Sequence, residues 1–267
     1  MYPLAILGFL GIFRTLGLRV TLEGTEHIPA EGGAIIACNH VGYLDFTFVG
    51  LGARVNHRLV RFMAKEGVFR HPLAGPLMRS MHHIPVNRVA GSRAFTDALA
   101  LLRAGEVVGI FPEATISRSF TLKDFKPGAA RLAQAAGVPL VPAVVWGSQR
   151  IYTKGRPVSL RPRGKAVTVA FGEPLRLGRH DDPEAGVVEL RHRMSVLLDR
   201  VRSEYPDSPS RPEDEWWLPS VLGGAAPTPQ EAAVLDDARA AARQAGAKAA
   251  EAAETERPGG PEGPDTP

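Results

Sequence analysis

The sequence predicts an α/β fold, with a mixed central sheet flanked by helices, an apolar N-terminal helix and a partly disordered C-terminal tail. Three observations carry that expectation. Short apolar runs alternate with helix-period segments from Leu18 to Ser203. Two of those runs, 33–37 and 106–108, end at polar turns, where an α/β domain keeps its chemistry. From about Tyr205 the composition shifts to Pro, Asp, Ser and Gly.

Residues 2–13 are apolar throughout. As a helix they reach about 18 Å, short of the roughly 30 Å hydrocarbon layer. No basic stretch precedes the run, and no small-residue cleavage site clearly follows it, so a signal peptide is not expected. Arg14 and Arg19 lie just beyond, which fits an interfacial anchor helix over 1–17; a core helix is the alternative. Residues 18–23 alternate apolar and polar, the period of a half-buried strand. A turn at 25–29 leads to a buried strand at 33–37. Residues 58–64 read as a strand ending at Lys65 and Glu66, and His71-Pro72 opens a short helix to Met78. Ser92 is placed to cap a helix to Arg103, which Gly105 ends. Pro127 suits the first turn of a helix reaching Ala136. Strands are expected at 140–146 and 167–171, and an amphipathic helix at 183–203.

In the tail, 206–267, Trp216-Trp217-Leu218-Pro219 is a candidate for docking on the body. Thr228 to Glu231 forms a capping box before an Ala-rich stretch. That stretch has no large apolar residue after Leu235 and can bury little, and 255–267 is expected to be disordered. A body at 18–205, the size of one large domain, is left between anchor and tail.

The 267 residues are 44% hydrophobic, enough for a sizeable core. The single cysteine, Cys38, excludes an internal disulfide and fits a reducing compartment. Residues 207–267 hold 12 acidic and 5 basic side chains; the whole chain is +4, which leaves +11 on residues 1–206. A basic body suits anionic lipid or phosphate-bearing ligands. No nucleic-acid motif accompanies it, so nucleic acid is not an expected partner. There is no G-x-S-x-G elbow, no phosphate-binding P-loop and no dense Cys/His spacing, so a serine hydrolase of the common type, a P-loop enzyme and a metal site are all disfavoured.

The sharpest chemical signal is Asn39-His40-Val41-Gly42-Tyr43-Leu44-Asp45, between the strand at 33–37 and a helix starting near Phe46. On one helix, five positions would turn about 500° and set the two side chains roughly 140° apart. His40 therefore belongs just before the helix, where the turn folds its ring back onto Asp45. A carboxylate on one ring nitrogen fixes the tautomer and frees the other to take a proton. The plain alternative is a helix-start turn with Asn39 as cap. Cys38 is in the same region, but a lone cysteine at a buried strand end is ordinarily a small core residue.

Three further blocks follow: Ile84-Pro85-Val86-Asn87-Arg88, Phe111-Pro112-Glu113-Ala114-Thr115-Ile116-Ser117-Arg118-Ser119, and Val138-Pro139-Leu140-Val141-Pro142. Together with N-H-x4-D, in this order, they resemble the glycerolipid acyltransferase family, the 1-acylglycerol-3-phosphate acyltransferases, over roughly residues 20–205. The resemblance implies a direct transfer. A fatty acyl group would pass from acyl-coenzyme A or acyl-carrier protein to the sn-2 hydroxyl of a lysophosphatidic acid, with no cofactor beyond that donor. His40 would be the general base and Asp45 its orienter. Lys65, Arg88, Glu113, Thr115 and Arg118 would bind substrate or organise its site. The expected setting is the cytoplasmic face of an anionic membrane, with peripheral or monotopic attachment. Two departures bear on the acceptor. Ala114 stands where the family has Gly, so this turn is not expected to adopt positive φ cheaply. Ile116 stands where it has Arg, leaving Arg118 displaced by two positions. Another acceptor (glycerol 3-phosphate, another lysophospholipid or a glycolipid) and a non-catalytic lipid-binding protein remain the alternatives.

Overall fold

A computed structural model describes residues 2–87 and 91–255. The strands are β1 (Arg19–Glu23), β2 (Ala34–Cys38), β3 (Val60–Lys65), β4 (Ile84–Val86), β5 (Val107–Ile110), β6 (Leu140–Trp146) and β7 (Ala166–Phe171). They form one sheet in the order β1-β7-β6-β2-β5-β3-β4. Every pairing is parallel except β6 with β7, so the sheet is mixed, as expected.

Position in that order explains strand composition. All residues of β2, β6 and β7 are buried, because these central strands are covered on both faces, and they read as continuous apolar runs. The edge strand β1 alternates, and its Val20 and Leu22 pack inward. The other edge, β4, carries Pro85, whose missing N–H costs least on an edge strand.

The helices are α1 (Tyr2–Thr15), α2 (Asp45–Arg54), α3 (Glu66–Phe69), α4 (Ala74–Ser80), α5 (Gly91–Arg103), α6 (Gly128–Ala136), α7 (Pro183–Ser203) and α8 (Pro229–Thr255). One face of the sheet is covered by α5, α6 and α7, which contribute Ala98, Leu102, Leu132, Leu190, Met194 and Leu198 to one core. The other face carries α1 and α2, with Phe13 stacked on Phe48 at 4.6 Å. Helix α1 is thus half core and half surface: Phe13 is buried, while Leu4, Leu7 and Ile12 face out. No helix among the described residues is long and apolar enough to cross a membrane.

Beyond α7 the chain keeps its grip on the body. Trp217 is buried, packs against Tyr205 and lies under the Arg150 guanidinium at 4.6 Å. The capping box forms: the Glu231 amide donates to Thr228 Oγ1 at 3.2 Å, and the Thr228 amide donates back to Glu231 at 2.8 Å. The expectation of disorder over 255–267 falls, from 256 on, outside the described residues.

Candidate active site

The C-terminal ends of the parallel strands β2, β5 and β3 lie side by side, so the turns after them share one edge of the sheet. His40 follows β2, Glu113 follows β5, and Lys65 ends β3. Helix α2 begins at Asp45. His40 Nδ1 lies 2.9 Å from Asp45 Oδ2. That same oxygen accepts the amides of Val41 and Gly42, each at 2.8 Å, and Oδ1 accepts Ser148 Oγ. Asp45 is fully buried, and these four donors satisfy its charge. An ionised carboxylate only accepts, so Nδ1 carries the ring proton and Nε2 presents a lone pair. The ring stacks on Phe111 at 4.1 Å and keeps 19% of its surface open.

Gly42 makes the turn this tight. A Cβ there would sit 2.9 Å from Ser148 Oγ and 3.2 Å from Asp45 Oδ1. Asn39 does not cap α2, whose N-cap is Leu44 without a side-chain bond. Its buried amide instead bonds both backbone groups of Val145, at 2.7 and 3.1 Å, and ties the end of β2 to β6. Burial pushes the Cys38 thiol well above its usual range, so it is no nucleophile. The adjacent His82 and His83 diverge, His82 being exposed. His83 is buried and accepts the Phe62 amide at 3.0 Å; burial, then Arg61, lowers it to about 4.

Glu113 bonds loop amides. Its carboxylate accepts from His40 N at 2.9 Å and from Lys123 N at 3.1 Å, and the Ser117 amide donates to His40 O at 2.8 Å. Both backbone groups of His40 are therefore held by the loop after β5. Burial pushes the Glu113 carboxyl up to about 7, against the two amide bonds that lower it. Ala114 adopts φ +57°, the left-handed conformation the family's Gly would take without strain. Ile116 is buried at 4% exposure and contributes packing only.

The remaining expected residues do not all converge. Lys65 is exposed, on the side of β5 away from β2. Arg118 turns the other way, towards the segment after β6, with its guanidinium against Gly155. The two therefore flank His40 from opposite sides, and no contact between them is found among the described residues. The partner of Arg118 is Asp236 of α8, at 3.0 Å. Thr115 Oγ1 accepts from Lys154 Nζ at 3.2 Å. Arg88 lies outside the described residues.

Sequence reasoning missed Ser148, Thr153, Lys154 and Asp236. Thr153 Oγ1 donates to Val41 O at 2.6 Å, and the Tyr43 amide to Tyr152 O at 2.9 Å, so the segment after β6 forms the far wall of the His40 turn. No local motif marks these residues; only the fold brings them across.

A His–Asp pair at a strand-to-helix turn of an α/β sheet is an arrangement that can serve as a general base with its orienter. Comparison with known proteins gives the family. A model described as Acyltransferase matches residues 19–146. The 1-acyl-sn-glycerol-3-phosphate acyltransferase of Bacillus subtilis is 32% identical over 166 residues, 60% of this chain and 76% of that protein. A chloroplast 1-acyl-sn-glycerol-3-phosphate acyltransferase of Arabidopsis thaliana is 33% identical over 51% of this chain and 38% of its own length. The crystal structure of the 1-acyl-sn-glycerophosphate acyltransferase PlsC of Thermotoga maritima shares the fold. Its TM-score is 0.60 at 22% identity, over 73% of this chain and 77% of that one. The chain belongs to the acyltransferase family and is a glycerolipid acyltransferase.

Proposed function

We propose that the chain transfers a fatty acyl group from a thioester donor, acyl-coenzyme A or acyl-carrier protein, to the sn-2 hydroxyl of 1-acylglycerol 3-phosphate, giving phosphatidic acid. The observation that carries this is the His40–Asp45 pair at 2.9 Å with Nε2 open. Nε2 takes the proton of the acceptor hydroxyl as its oxygen attacks the thioester carbonyl carbon. The tetrahedral intermediate collapses with loss of the C–S bond, and His40 returns the proton to the leaving thiolate. Asp45 stabilises the imidazolium formed between those steps. Glu113 holds the His40 backbone, and Arg118, Lys154 and Thr115 supply the donors on the acceptor side; Lys65 offers a further cation beyond β5. Arg88, by its place in the second block, is proposed to serve the same phosphate.

The acyl chain has an apolar road away from His40. Phe111 stacks on the His40 ring, Phe62 on Phe111 at 5.8 Å, Phe46 meets Phe62 at 5.9 Å, and Phe9 of α1 meets Phe46 at 6.0 Å. That row ends beneath α1, whose outward Leu4, Leu7 and Ile12 suit an acyl-chain boundary. We therefore place α1 (the 1–17 segment) on an anionic membrane surface, at its cytoplasmic face, with the 18–205 body carrying the reaction and the 206–267 tail appended.

The test is purified protein, acyl-coenzyme A and a panel of acceptors: 1-acylglycerol 3-phosphate, glycerol 3-phosphate, other lysophospholipids and a glycolipid. Mass analysis should find phosphatidic acid as the dominant product. A different dominant product would move the acceptor, and no product with any acceptor would leave a lipid-binding protein.

A further inference from the structure

Three cations from two segments, the loop after β5 and the segment after β6, meet on one carboxylate. Lys154 Nζ lies 2.5 Å and Arg118 Nε 3.0 Å from Asp236 Oδ1, and Lys123 Nζ lies 2.9 Å from Oδ2. Arg118 and Lys154 each keep only 13% of their side-chain surface, and Asp236 15%. The cluster adjoins the candidate site: Lys154 also donates to Thr115, and its neighbour Thr153 bonds Val41 O, one residue from His40.

The charge does not balance. Among the described residues a single carboxylate bonds the three cations, so the cluster is short of negative charge. Burial, then the charges of Arg118 and Lys123, pull the Lys154 ammonium below its usual range in spite of Asp236. Burial would raise the Asp236 carboxyl, but bonds from Lys154, Lys123 and Arg118 outweigh it and hold it at about 2. A phosphate monoester carries close to two negative charges at neutral pH, with three acceptor oxygens, and matches three cations better than a carboxylate does.

The helix that delivers Asp236 is lightly attached. From Pro229 to Ala245, leaving out residue 243, Ala232 is the buried residue and Asp236 the half-buried one, one turn apart; the rest are exposed. Over 229–245, residue 243 left out, one buried methyl group and one ion cluster are what α8 turns inward, a contact that a better anion can break.

We propose that Asp236 is a built-in competitor of the acceptor: α8 seats its carboxylate in the Arg118–Lys123–Lys154 cluster, and a phosphate monoester enters by displacing it. The cluster's place on the acceptor side rests on the function proposed above; the competition itself does not. Substrate would thus open the site it binds, and the acidic tail would keep it closed to weaker anions.

The experiment uses the full chain, wild type and Asp236→Asn, with inorganic phosphate as probe and sodium chloride at matched ionic strength as control. Backbone hydrogen exchange over 230–240 should quicken in the wild type with phosphate but not with chloride, and should be fast in D236N without either. Phosphate should bind D236N at least about tenfold more tightly, a step of one decade in Kd, and should raise its Tm more than that of wild type. The proposal is overturned if phosphate leaves wild-type exchange unchanged, if chloride releases α8 equally, or if D236N binds phosphate no better. Acyl transfer to 1-acylglycerol 3-phosphate, assayed on the same samples, separates the two ideas. Phosphate-driven release without any transfer sustains the competition and refutes the proposed function. Transfer without release, at an acceptor KM unchanged in D236N, refutes the competition alone.

Discussion

At the residue scale, Asp45 is the most constrained side chain of the site. It is fully buried and takes four hydrogen bonds, one of them from Ser148, 103 residues away. Ser148→Ala removes a donor from a buried carboxylate, which should cost about 1–3 kcal/mol of stability and slow transfer by loosening the His40 ring. Thermal unfolding and kcat check both; an unchanged Tm would remove Ser148 from the network. Ala114 should behave in the opposite way. Its φ of +57° carries strain of about 1–2 kcal/mol, which Gly relieves at a smaller cost in unfolded-state entropy. Ala114→Gly should therefore raise Tm slightly without lowering kcat, and a lower Tm would contradict it. Glu113 gives a pH signature. Its ordinary value is 4.5 and its folded value about 7, so the unfolded state loses the proton first as pH rises. The stability Glu113 contributes is whole below about 4.5 and is lost as pH climbs through 7, by on the order of 3 kcal/mol in all. Glu113→Gln should start less stable, because an amide nitrogen must face a backbone N–H, but lack that decline between pH 5 and 8. Equal slopes in both proteins would count against the assignment.

At the scale of elements, what could be read from sequence was what is local. The strand at 34–38, the turn carrying His40 and a helix from residue 45 lie within about twenty residues, so period and spacing expose them. Asn39 shows the limit. Beside a helix start it looks like a cap, and it is a strap to Val145, 106 residues on. Asp236 shows it again: an Ala-rich helix with few apolar residues gave no sign that its one half-buried carboxylate would find three cations on the body. Helix α1 was legible as an apolar run, but not that Phe13 would stack into the core. That dual role decides how to test the membrane contact. Deleting α1 would also uncover Phe48, whereas Leu4→Asp with Leu7→Asp changes exposed positions alone. The double variant should lose binding to anionic vesicles with Tm within a degree or two, since surface substitutions cost little. Retained binding would locate the membrane face elsewhere.

At the scale of the molecule, the mixed sheet sets three strand ends side by side and divides the site among the segments that follow them. The loop after β2 carries His40, the loop after β5 binds the His40 backbone, and the segment after β6 walls the turn and supplies Lys154. A basic body and an acidic tail then meet at Asp236. The central claim is that His40 takes the proton of an acceptor hydroxyl. Its most direct test is thiol release from acyl-coenzyme A, followed with and without 1-acylglycerol 3-phosphate, for wild type and His40→Ala of matched fold. Release should require the acceptor and should fall by about 10²–10⁴ in H40A, the range typical of a general base. Acceptor-independent release from wild type, or near-wild-type turnover in folded H40A, would contradict it.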